Sequence, residues 1–145
     1  MKVLIVDDSE LLQVRLAKAI STADSTISIT RALSCKEALE LFPPSNPDKI
    51  ILDIALPDGS GINLLKIFKK VEPGVPVIIF TNYPTDEFRD CCIKLGADEF
   101  ISKKNIGELL EKMIWNQFIV KMSSMPILQL LTREINYFNI YPYDK

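Results

Sequence analysis

Apolar residues in this chain gather into short, β-branched runs, and each run stops on a polar side chain. Val3 to Val6 leads to Asp7 and Asp8, Ile50 to Leu52 leads to Asp53, Val77 to Phe80 leads to Thr81, and Phe100 with Ile101 passes through Ser102 to Lys103. Runs this short and this rich in Val and Ile predict strands buried on both faces of a parallel sheet. A fifth run differs: Ile27 and Ile29 alternate with Thr26, Ser28 and Thr30, the pattern of a half-exposed strand at or near a sheet edge.

Helical spacing fills the intervals between these runs. Ser9 can cap a helix reaching Ile20, with Leu12, Leu16, Ala19 and Ile20 apolar and Gln13, Arg15 and Lys18 between them. Ser34 followed by Glu37 is a capping box, predicting a helix through Ala38, Leu39 and Phe42 that Pro43 and Pro44 terminate. The loop Pro57, Asp58, Gly59, Ser60, Gly61 leads into a helix over 62–70 with Leu64, Leu65 and Phe68 inward. Pro84 and Thr85 open a helix through Phe88, Cys92 and Leu95 that Gly96 stops, and a last helix starts at Asn105 with Glu108 three residues on.

Five strand-helix units in strict alternation imply an α/β fold, a doubly wound five-stranded parallel sheet with right-handed crossovers. With strand order 2-1-3-4-5, the chain reverses direction between strands one and three, and ligands of open α/β sheets sit outside the strand carboxyl ends at such a point. Asp7 and Asp8 flank that crevice on one side and Asp53 on the other. Past about Val120 the pattern changes. Met122 to Pro126 interrupt the helix, then Ile127, Leu130, Leu131 and Ile135 recur at helical spacing before an aromatic tail. The expected organisation is one domain over residues 1–120 and a C-terminal extension over 121–145, helical in part.

The 145 residues suffice for one substantial core, and 48% hydrophobic with 25% charged residues is an ordinary globular balance. A net charge of −2 gives no global attraction to nucleic acid. The first apolar run meets two aspartates after four residues, which fits neither a signal-peptide core nor a membrane span, so a cytoplasmic location without membrane contact is expected. Cys35, Cys91 and Cys92 lack paired zinc spacing and read as reduced helix residues. Histidine is absent, which excludes imidazole acid-base chemistry and any phosphohistidine carried by this chain.

Three carboxylates, a hydroxyl and an amine therefore converge on one sheet edge. Mg²⁺ prefers carboxylate and carbonyl oxygens and is usually held by one or two carboxylates together with phosphate oxygens, so Asp7, Asp8 and Asp53 suit it; without thiolate or imidazole, zinc and copper do not. One of the three acids could also attack phosphorus, with Lys103 as point charge and Thr81 as hydroxyl donor. Each residue alone reads as a solvated turn charge, a strand end or a surface lysine; their joint placement after strands one, three, four and five carries the functional reading.

This constellation closely resembles the receiver domain of two-component response regulators, over about residues 1 to 120. Asp7 and Asp8 match its acidic pair, Asp53 its phosphorylated aspartate, Thr81 its switch hydroxyl and Lys103 its lysine; Pro57 and Gly61, four and eight residues after Asp53, and Gly96-Ala97-Asp98 agree as well. The resemblance implies a flavodoxin-like receiver fold of stand-alone type. It implies phosphotransfer onto Asp53 from a sensor histidine kinase, a phosphotransfer protein or a small acyl-phosphate donor, with Mg²⁺ held by Asp8, Asp53 and the backbone carbonyl of Ala55, and Asp7 acting mainly through water. It further implies that Thr81 moves toward the phosphoryl group and Phe100 into the vacated space. A phenyl ring has less reason than a phenol to face water, so an appreciably populated inward state of Phe100 is expected without phosphate. Ala55 and Tyr83 stand where relatives often carry residues that position water, which predicts slow self-dephosphorylation rather than enzymatic turnover.

Two rivals have distinct signatures. An aspartyl-phosphate phosphatase of haloacid-dehalogenase type also uses Asp, Mg²⁺, Thr and Lys on an α/β sheet. It needs an Asp-x-Asp nucleophile loop, and neither Asp7-Asp8 nor Asp53-Ile54-Ala55 supplies the second carboxylate. A DNA-binding output would need more than the roughly twenty-five remaining residues, whose basic side chains are Lys121, Arg133 and Lys145. A downstream protein partner, docking on the face formed by the fourth and fifth helices and fifth strand, is the output that the resemblance implies. The tail pattern fits either a helix folded back or a homodimer or partner contact.

Overall fold

The computed structural model describes residues 1–123, with side chains to residue 114. The expected extension lies outside the described residues from position 124 on. Within the unit Met1–Leu110, strands β1 (Lys2–Val6), β2 (Ser28–Ala32), β3 (Lys49–Leu52), β4 (Val77–Thr81) and β5 (Glu99–Ser102) alternate with helices α1 (Glu10–Ala23), α2 (Cys35–Ser45), α3 (Gly61–Val71) and α4 (Asp86–Lys94). A last helix, α5 (Ile106–Ser123), begins in this unit; the second unit starts at Glu111 and is helical over 111–123.

All five strands pair in parallel in the order β2-β1-β3-β4-β5. The central strands β1, β3 and β4 are buried over almost their whole length, as expected of a sheet covered on both faces, whereas edge strand β2 buries only Ala32 fully. Leu4, Val6, Ile50, Leu52, Val77 and Ile79 form one cluster with Ala38 and Phe42 of α2, Leu64, Leu65 and Phe68 of α3, and Cys92 of α4. Val3, Ile5, Ile51, Ile78 and Phe80 alternate to the opposite side, and Leu16 and Ile20 of α1 are buried outside that cluster.

Helix starts follow their sequence signals. Ser9, Ser34, Ser60 and Thr85 each accept a hydrogen bond from an amide of the helix that follows. Glu37 reaches back to Leu33 N–H, one residue further than the ideal capping box.

Two expectations are corrected. Pro43 and Pro44 do not terminate α2: they lie within its last turn, and the helix ends at Asn46, whose backbone is left-handed with φ 41° and whose N–H donates to Phe42 O. The carbonyls deprived of donors belong to Leu39 and Glu40 on the exposed side, where water can reach them, while Phe42 stays buried against Phe68 with ring centroids 4.6 Å apart. Gln13 is not on the polar side of α1 but is 1% exposed. Its amide donates to Asp7 O at 2.7 Å and Ala32 O at 2.6 Å.

Candidate phosphoacceptor and metal site

Asp7, Asp53 and Lys103 each directly follow a strand yet stay tied to the neighbouring one, and Thr81 is the last residue of β4. Asp7 N–H donates to Ala32 O at 3.1 Å, Asp53 N–H to Val6 O at 2.9 Å, and Lys103 N–H to Thr81 O at 2.9 Å. The sheet ladder thus continues into the site, giving its side chains the rigidity of the scaffold rather than of loops.

At the carboxyl edge, Lys103 Nζ lies 2.6 Å from Asp7 Oδ2 and 2.6 Å from Asp53 Oδ2. Both carboxylates are buried, Asp7 at 2% and Asp53 at 4% exposure, and Asp8 is exposed beside them. Their other oxygens meet backbone: Asp7 Oδ1 accepts from Ser9 N at 2.8 Å and Asp53 Oδ1 from Ala55 N at 3.3 Å. Burial holds the Asp7 carboxyl above its usual range despite the lysine. Burial pulls the other way on Lys103, but its bonds to Asp53 and Asp7 prevail and its ammonium is held above the usual lysine range. The site therefore keeps one firm cation between two buried acids.

Carboxylate oxygens of Asp7, Asp8 and Asp53 all lie within 4.8 Å of one another. An all-oxygen, anionic cluster of this kind fits Mg²⁺, a hard cation. Ala55 sits in a short antiparallel ladder in which Ala55 pairs with Ser60 and Leu56 with Gly59. Gly61 closes that loop: its N–H donates to Ile54 O at 2.9 Å, and a Cβ on it would stand 1.9 Å from Asp53 O. Only glycine lets α3 begin this close to the backbone of Asp53.

Thr81 is fully buried, and its Oγ1 accepts from Tyr83 N at 3.2 Å, leaving its own proton for an acceptor. Phe100 is buried at 5% exposure, its ring 5.1 Å beneath the Arg89 guanidinium, which also donates to Phe100 O at 3.4 Å. Ala55 and Tyr83 are exposed.

Thus Asp7, Asp8, Asp53 and Lys103 are brought together directly, Thr81 through the Lys103 backbone, and Phe100 one strand-end away. Three residues that sequence reasoning passed over contribute. Gln13 pins the carbonyl of Asp7, Arg89 covers Phe100, and Asp58 reaches α2. The spacing of Gln13 with Leu16 and Ile20, on one helical stripe, was the signal for the first; nothing in the sequence marked the other two.

Comparison with known proteins agrees with this geometry. The family described as response regulator receiver domain matches residues 3–114. A protein-glutamate methylesterase/protein-glutamine glutaminase of Treponema pallidum is 33% identical over 103 residues, 70% of this chain and 26% of that protein. A DNA-binding transcriptional activator of Mycobacterium tuberculosis is 31% identical over 113 residues, 78% of this chain and 52% of its relative. The chain thus spans between about a quarter and a half of the length of these relatives. Among solved structures, a CheY-like receiver domain protein from Methanospirillum hungatei superposes with TM-score 0.73 at 28% identity, covering 79% of this chain and 91% of the other. The receiver domain of Francisella response regulator 1452 gives 0.70 at 33% identity, covering 77% and 92%.

Proposed function

The chain belongs to the family of response regulator receiver domains, and from that premise we propose that Asp53 is the phosphoryl acceptor of a two-component signalling switch. The observation that carries the proposal is the Lys103 ammonium 2.6 Å from Asp53 Oδ2, beside a cluster of carboxylates suited to a divalent cation. A carboxylate oxygen of Asp53 forms the new bond to phosphorus as the bond from phosphorus to the donor breaks, and the donor group leaves with that electron pair. These 145 residues hold no histidine, so a phosphohistidine donor lies outside them, as in a sensor histidine kinase or phosphotransfer protein.

Asp8, Asp53 and the Ala55 carbonyl would hold Mg²⁺, with Asp7 through water. The ion would neutralise charge on the transferring group. Lys103 already spans Asp7 and Asp53, so its ammonium is placed to offset charge that develops on the phosphoryl oxygens. The Thr81 hydroxyl has a free proton to donate to the same oxygens. Its shift, together with the already buried Phe100, would alter the face built by α4, β5 and the start of α5, through which a protein partner is regulated.

The domain transfers rather than turns over. Neither Ala55 nor Tyr83 offers an amide or carboxylate to orient a hydrolytic water, so the acyl phosphate is expected to decay over minutes or longer, not seconds, when followed by intact mass after donor removal. The reading itself is tested by incubating the chain with acetyl phosphate and Mg²⁺. One phosphoryl increment that disappears with chelator and in Asp53→Ala supports it; labelling indifferent to both refutes it.

A further inference from the structure

We propose that Asp58 is a positioning residue for phosphoryl acceptance, a clamp that fixes the loop from Asp53 to Gly61 against the start of α2. The inference rests on the phosphoacceptor reading above. Asp58 stands at the tip of the short ladder formed by Ala55–Leu56 and Gly59–Ser60. Its Oδ1 accepts from Cys35 N at 2.7 Å and its Oδ2 from Lys36 N at 2.9 Å, contacts across 23 and 22 residues of chain. The backbones are close there as well, since a Cβ on Gly59 would lie 3.1 Å from Cys35 Sγ.

The first four amides of α2 have no partners inside the helix and need others. The Ser34 Oγ satisfies one, that of Glu37, and Ala38 N–H makes the first helical bond to the Ser34 carbonyl. The start of α2 thus has a cap of its own. The two bonds from Asp58 therefore matter most for the other partner, the loop. Leu56 packs against the core and the ladder ties it to Gly59, but Pro57, Asp58 and Gly59 at the tip are exposed. At its base the loop is fixed by Asp53 N–H on Val6 O and by Gly61 against the Asp53 backbone. Asp58 fixes the tip, so the Ala55 carbonyl and Asp53 stay in place before any ligand arrives. Two backbone amides on the carboxylate, at the positive end of a helix, hold Asp58 below the usual carboxylate range and keep it charged as the clamp requires.

The test compares the full chain with Asp58→Ala, Asp58→Asn and, as a control, Glu37→Ala, which frees Leu33 N–H at the same helix start without touching the loop. Amide hydrogen exchange is measured without metal, and Mg²⁺ affinity by titration calorimetry. The expected result for Asp58→Ala is faster exchange at Cys35, Lys36, Ala55 and Gly61 and Mg²⁺ affinity weaker by about tenfold, the scale of a lost supporting contact at a metal site. Asp58→Asn, which keeps acceptor capacity but loses the charge, falls between, and Glu37→Ala leaves both loop exchange and Mg²⁺ affinity at wild-type values. Unchanged exchange at Ala55 and Gly61 with unchanged Mg²⁺ affinity in Asp58→Ala overturns the clamp, as does an equal loss in Glu37→Ala. A wild-type chain that neither binds Mg²⁺ nor takes up a phosphoryl group overturns the phosphoacceptor reading instead, while the metal-free exchange still judges the clamp.

Discussion

At the scale of single residues, the site is a balance between one cation and two buried acids. Lys103 is 10% exposed, Asp7 3% and Asp53 5% by side chain, so removing the amine strands like charges where water cannot screen them. Lys103→Met is expected to cost about 3–5 kcal/mol of metal-free stability by urea unfolding at neutral pH. Part of that loss returns on adding Mg²⁺; a variant as stable as wild type, or indifferent to the ion, contradicts the balance. Gln13 shows where residue-level reading stops. Its polarity assigned it to solvent, because an amphipathic pattern weighs polarity and position but not partners. Two convergent carbonyls, from Asp7 and Ala32, satisfy its amide and make burial favourable. The acids, Thr81 and Lys103 were legible because each follows an apolar run, a one-dimensional mark that Gln13, Arg89 and Asp58 lack.

At the scale of elements, starts were easier to read than ends. The caps Ser9, Ser34 and Thr85 are local chemistry and sit where the sequence puts them, and Ser60, read as loop, caps α3 in the same way. The end of α2 was misplaced because Pro43 and Pro44 are locally unfavourable to a helix, whereas burial of Phe42 against Phe68 is a tertiary term no local signal contains. The α3 start makes a sharper claim. With 1.9 Å between a would-be Cβ and Asp53 O, Gly61→Ala must move either the helix or Asp53. It is expected to lose roughly 1–3 kcal/mol or more of stability and to label more slowly than wild type in acetyl phosphate; an alanine variant with wild-type stability and rate contradicts the close approach. In α4, burial pushes the Cys92 thiol up to about 11, while adjacent Cys91 is exposed. A thiol favoured as neutral by the fold contributes stability below its ordinary value of 9.0 that is lost as pH rises toward 11. In the native protein at pH 8, a thiol reagent is expected to modify Cys91 readily and Cys92 only on unfolding; equal reactivity of the two contradicts the burial.

At the scale of the whole molecule, strand order was the most legible property. Strict alternation of strand and helix together with crossover handedness leaves few arrangements, and the observed 2-1-3-4-5 order puts β1 and β3 side by side, with their acids across one crevice. Among the described residues no helix is long and apolar enough to cross a membrane. The curated relatives attach different outputs to the same kind of domain, a methylesterase in one and a DNA-binding activator in another, and this chain matches a part of each. The account stands on the chemistry of the edge where Asp53 meets Lys103. The most direct measurement is to treat the chain with acetyl phosphate and Mg²⁺, trap any acyl phosphate with borohydride, and map the peptides. The account predicts homoserine at position 53 and at no other aspartate; an unmodified Asp53, or reduction distributed over Asp7 and Asp8, would contradict it.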